Sequence, residues 1–129
     1  MTLQQAIAKQ EGFGKPGARP TLLHNPGDII YGTFATSHGA VGNVGGYAEF
    51  PDDATGWAAL TALLSGPSYR DLTVQHWGVL RYLLKAIDRY RPAPAGSTLT
   101  EGNQPDVYVQ NICEWCDCSP TTPIADLLG

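Results

Sequence analysis

Apolar residues open the chain at helical spacing. Leu3 and Ile7 stand one turn apart, Ala6 and Gln10 lie beside them, and Glu11 takes the next position of the same stripe. Thr2 precedes the stripe as an N-cap with Gln5 three residues on, the capping-box arrangement in which side chain and backbone satisfy each other's orphan donors. Gly12 and Gly14 follow at once, and glycine accepts the left-handed conformation that ends a helix. The pattern therefore predicts a short first helix carrying a carboxylate at the end of its apolar face.

From Lys15 to Gly46 glycine, proline and asparagine break every helical period, and only Asp28-Ile29-Ile30-Tyr31 forms a short apolar piece. A second piece, Tyr47-Ala48-Glu49-Phe50, is bounded by Gly45-Gly46 and by Pro51-Asp52-Asp53. Together they predict a small, irregular hairpin and no helix. Beyond it, helical spacing returns in Trp57, Leu60, Leu63 and Leu64, with Asp53 or Thr55 as cap and Gly66-Pro67 as stop. A longer helix capped by Thr73 is expected to bear Trp77, Leu80, Leu84 and Ile87 and to end before Pro92. A third starts at Pro105 and runs through Tyr108, Ile112 and Trp115; Arg91 to Asn103 reads as a connecting loop, and Thr121-Thr122-Pro123 starts a last short turn. The order of elements predicts one α+β domain over residues 1–129, mostly helical, with a small hairpin region between the first helix and the rest.

Composition sharpens this picture in three ways. A chain of 129 residues can bury a sizeable core, and 15 glycines with 10 prolines fit long connections between its elements. A net charge of −4, with no Lys/Arg cluster, argues against a nucleic-acid partner. No apolar run approaches the about 18 residues that span a bilayer, so membrane insertion is not expected, and the Thr2-Leu3-Gln4-Gln5 opening is not that of a secretion signal. Synthesis in the cytoplasm is the expectation. Three cysteines, Cys113, Cys116 and Cys118, crowd one segment in an odd number, which reads as reduced thiols in helix packing. His24, His38 and His76 are scattered without metal-ligand spacing, and no metal is expected.

The carboxylate of Glu11 is the candidate with chemical consequence. Shelter on an apolar face and the negative end of a helix dipole both disfavour ionisation, and a carboxyl that keeps its proton can deliver it to a glycosidic oxygen. The alternative is a glutamate at a helix end whose face turns to water.

Larger runs of the sequence then resemble a family. Ala6-Ile7-Ala8-Lys9-Gln10-Glu11-Gly12-Phe13-Gly14, Pro16-Gly17-Ala18-Arg19-Pro20-Thr21 and Asn25-Pro26-Gly27-Asp28-Ile29 are similar, in order, to the opening of phage and prophage proteins of the lysozyme-like superfamily. Tyr47 to Phe50, Gly56 to Leu60, and later Tyr90-Arg91-Pro92, Asn103 and Tyr108 to Cys113 continue the likeness along nearly the whole chain. His24, the glycine-rich stretch Thr36 to Gly46 and Gln104-Pro105-Asp106 depart from the family pattern.

The resemblance implies a lysozyme-like fold and cleavage of the β-1,4 bond between N-acetylmuramic acid and N-acetylglucosamine, as a muramidase or a lytic transglycosylase, without a cofactor. Glu11 matches the general acid. Asn25, Gly27 and Asp28 match the loop beside it, and Tyr47, Glu49 and Phe50 the strand facing the cleft. A hydrolase needs a second carboxylate, for which Asp28 and Glu49 are the candidates, whereas a transglycosylase closes an anhydro ring with the sugar's own C6 hydroxyl. Asp28 has a second reading, since Asn-Pro-Gly-Asp is good turn chemistry. Tyr31 and Tyr47 are candidates for stacking on a sugar, while Trp57, Trp77 and Trp115 fall on helix stripes and read as core. The implied partners are peptidoglycan glycan strands, reached after cell release or by virion delivery, and phage virion components. The acidic charge supplies no steering toward an anionic wall. A non-enzymatic virion or glycan-binding protein that keeps the fold is the competing expectation.

Overall fold

The computed structural model describes residues 1–88 and 105–129. Among them the architecture is α+β and mainly helical, with one two-stranded antiparallel hairpin. The first helix, α1 (Leu3–Glu11), forms as its pattern predicts. Thr2 and Gln5 make the reciprocal capping box, and Gly12 closes the helix at φ 89°. Leu3 and Ile7 are fully enclosed.

The stretch from 15 to 46 departs from expectation, because it contains two one-turn helices, α2 (Arg19–Leu22) and α3 (Thr33–Ser37). Pro20 lies in the first turn of α2, where its fixed φ suits a helix and its missing N–H costs nothing, so a residue read as a breaker is a starter. The hairpin also differs. β1 (Gly42–Val44) pairs with β2 (Tyr47–Glu49) in the register Gly42 to Glu49, Asn43 to Ala48 and Val44 to Tyr47. Gly45 and Gly46, taken from sequence as a boundary, are the turn itself, at φ 61° and 93°. The Asp28–Tyr31 piece lies along the other edge of β2, joined by one Ile30–Tyr47 bridge and by the Ala48 N–H to Ile29 C=O bond of 2.9 Å.

Three longer helices complete the fold: α4 (Asp53–Ser65), α5 (Val74–Asp88) and α6 (Pro105–Cys116), followed by a 3-10 turn at Ile124–Leu127. The cap of α4 is Asp52, not Asp53 or Thr55; its extended backbone lets Oδ1 accept the Thr55 N–H at 2.7 Å. That N–H, with the Thr55 hydroxyl, holds the Asp52 carboxyl below the usual carboxylate range. Thr73 caps α5 by accepting the His76 N–H, and α6 begins at Pro105, both as the sequence predicts. The side chains of Leu84 and Ile87 are not described, and the 91–103 loop with Tyr90, Arg91, Pro92, Asn103 and Gln104 falls outside the described residues.

The core joins α1, α4, α5 and α6 through Ile7, Leu60, Leu64, Trp77 and Ile112, and takes in Phe50 and Ile124. α6 packs against both α1 and α5. Two glycines bring α4 onto the 25–28 turn. A Cβ on Gly27 would stand 2.7 Å from Leu60 Cδ1, and one on Gly56 would run into the His24 carbonyl oxygen and come within 2.8 Å of Pro26 Cδ. Gly56→Ala is therefore expected to destabilise the fold by about 1–3 kcal/mol or more through overpacking, read as a lower urea midpoint; an unchanged midpoint would show that α4 does not approach the turn this closely.

Candidate active site

The end of α1 is fixed by backbone bonds. The Gly12 N–H reaches the Ala8 and Lys9 carbonyls, and the Phe13 N–H returns to Ala8 O at 2.9 Å, leaving Glu11 as the last helical residue. Its side chain continues the Leu3–Ile7 face into the interior and is only 1% exposed. The sheltered position expected from the sequence is present. The isolation is not: Arg81 Nη2 lies 3.2 Å from Glu11 Oε1, and the Tyr108 hydroxyl donates to the same oxygen at 3.4 Å.

Arg81 comes from α5 and is itself 5% exposed in its side chain. The same Nη2 donates to the carbonyls of Gly27 and Asp28, each at 3.2 Å, so one guanidinium spans the acid of α1 and the Asn-Pro-Gly-Asp turn. Burial works against its charge, but Glu11, Tyr108 and Asp28 together outweigh that penalty and raise its pKa. Its Nε–H is enclosed without a partner. Tyr108, from α6, also accepts the Trp77 indole N–H at 3.3 Å. Burial and then the Glu11 charge push the phenol well above its ordinary pKa, so it stays a neutral donor to Glu11.

The turn is built from inside. The Asn25 carboxamide accepts the Ile29 N–H at 2.9 Å and donates to the carbonyls of Ile29 and Ala48 at 3.0 and 2.9 Å, which binds the turn to β2. Asp28 occupies the left-handed region at φ 49°, its N–H closing onto Asn25 O at 3.0 Å. Its carboxylate is buried and held bidentately by Arg19, Nε to Oδ1 at 2.9 Å and Nη2 to Oδ2 at 2.5 Å. Burial opposes the Arg19 charge, yet the hydrogen bond and field of Asp28 prevail and its pKa is raised. The guanidinium lies 3.4 Å from the centre of the Tyr47 ring.

Glu11 and Asp28 thus belong to one network through Arg81. Glu49 stands on the hairpin instead, its carboxylate packed over Gly42 of β1. Asn25, Gly27 and Phe50, expected to meet a ligand, are enclosed. Tyr31 is 39% exposed, and Tyr47 lines an open cavity of about 340 Å³ with Gly17, Arg19, Leu22, Leu23 and Val44.

Two residues that sequence reasoning passed over are central. Arg81 follows Val74 and Trp77 at i+7 and i+4, the buried face of α5, and a charge on such a face requires a partner. That signal was available. Arg19 sits before Pro20 in an aperiodic stretch and carried none. Among the described residues no group of three His, Cys, Asp or Glu converges on a metal. His24 pairs with Asp53 at 2.7 Å, and His38 bonds the Phe34 carbonyl at 2.8 Å. No family model, curated protein or solved structure matches the chain.

Removing Arg81 leaves a buried carboxylate without its counter-charge. Arg81→Met is expected to cost about 3–5 kcal/mol in urea unfolding, far more than Arg70→Met at an exposed position. Equal losses at the two sites would place Arg81 outside the structural network.

Proposed function

We propose that this chain is a lysozyme-like peptidoglycan glycosidase in which Glu11 is the general acid for the β-1,4 bond between N-acetylmuramic acid and N-acetylglucosamine. One observation carries the reading: Arg81 joins the carboxylate at the end of α1 to the Asn25–Asp28 turn, so the two motifs on which the family resemblance rests form one site. The adjoining cavity is walled largely by apolar atoms of Leu22, Leu23, Val44 and Tyr47, which suit the apolar faces of sugar rings.

In this reading Glu11, ion-paired with Arg81 in the resting protein, takes up a proton when substrate binds and gives it to the departing oxygen as positive charge develops at the anomeric carbon. Asp28, buried and charged beside the site, or Glu49 on the hairpin, is the second carboxylate of a hydrolase. Attack by the sugar's C6 hydroxyl instead releases an anhydro product and needs no second carboxylate. Glycan strands are the partner, reached from the cytoplasm after release or by virion delivery.

The 1% exposure of the Glu11 side chain favours a second reading, a glycan-binding or virion protein that keeps a lysozyme-like fold, because a working acid must reach the substrate oxygen.

The two are separated by incubating the protein with purified peptidoglycan and identifying soluble products by mass spectrometry. The glycosidase reading expects muropeptides with reducing or anhydro ends, and their loss in Glu11→Gln. Glutamine keeps an oxygen for Arg81 and Tyr108, so circular dichroism should show the variant folded. Intact peptidoglycan after treatment with the wild-type protein, or unchanged release by folded Glu11→Gln, overturns Glu11 as the acid.

A further inference from the structure

The C-terminus of α6 carries a feature independent of the glycosidase reading. Asp117 takes the left-handed conformation at φ 53°, and the Cys118 N–H returns to the Cys113 carbonyl at 3.1 Å. That is the six-residue closure of a Schellman motif, whose outer residue packs on the residue five positions back. Here both are cysteines. Both side chains are partly buried and packed against the core. Cys116, the last residue of α6, is bypassed by that closure, and among the described residues no three thiols converge on a metal.

We infer that Cys113 and Cys118 are a built disulfide site, which closes by exchange with a small-molecule disulfide and staples the end of α6, while Cys116 stays reduced. The helix cap already brings the two residues together, so closure asks for little backbone movement. In the reaction the thiolate of one cysteine attacks a sulfur of the small disulfide and expels one thiol. The thiolate of the other cysteine then attacks the protein sulfur of that mixed disulfide and expels the second. Two protein thiols are oxidised, one small disulfide is reduced to two thiols, and the two protein protons pass to the expelled thiolates.

Burial and the neighbouring Cys113 push the Cys118 thiol up to about 12. Because the thiolate is the reactive form, exchange is expected to be slow at neutral pH and to quicken as pH rises.

The test uses the full chain, folded and reduced, with oxidised glutathione at mildly alkaline pH. Free thiols are then alkylated and the intact mass and fragment ions recorded. The expected product lacks two hydrogens, carries one alkyl group on Cys116, and shows a higher urea midpoint than the reduced protein. Cys116→Ser should close equally well. Cys118→Ser should form no internal link and stop at the mixed disulfide or free thiols. A Cys113–Cys116 link, or wild-type and folded Cys116→Ser proteins that both remain unlinked, overturns the proposal.

Discussion

Arg81 and Glu11 form a charge pair inside the protein, and the rest of the site is arranged around it. A carboxylate and a guanidinium removed from water each carry a desolvation penalty of several kcal/mol, offset only when their remaining hydrogen-bonding groups are also met. Tyr108 supplies a neutral donor to the carboxylate and the Gly27 and Asp28 carbonyls receive Nη2 of the guanidinium, while its Nε–H is left unmet, so the offset is incomplete. The pair therefore requires α1, the 25–28 turn, α5 and α6 to meet at one point. α4 closes on the same turn through Gly56, where a Cβ would run into the His24 carbonyl oxygen.

A second pair extends the network outward. Arg19 clamps Asp28 and lies over Tyr47, linking the buried centre to the cavity beside the hairpin. Charged groups thus run from the enclosed Glu11 through Arg81 and Asp28 to Arg19, which lines the open and largely apolar cavity. Asn25, which looks from sequence like a ligand contact, instead spends its whole carboxamide on holding the turn against β2.

The helices were largely legible in the sequence because each has a period and a cap: the Thr2–Gln5 box, Thr73, and Pro105 at a helix start. The position of Glu11 followed from the same periodicity. The hairpin was half legible. β2 was recognised, but its partner lay in a stretch whose glycines looked like punctuation and are the turn. The one-turn helices α2 and α3 are too short to show a period. Arg81 is legible too, since its place on the Val74–Trp77 face announces a buried charge. Its partner was beyond reach, because 70 residues separate it from Glu11 and only tertiary packing brings them together.

A double-mutant cycle on Glu11→Gln and Arg81→Met, followed by urea unfolding, isolates the pair from everything around it. If the two charges depend on each other as described, the double variant loses much less stability than the sum of the single losses, with a coupling of about 1 kcal/mol or more. Losses that simply add would mean that the two side chains do not share a buried site.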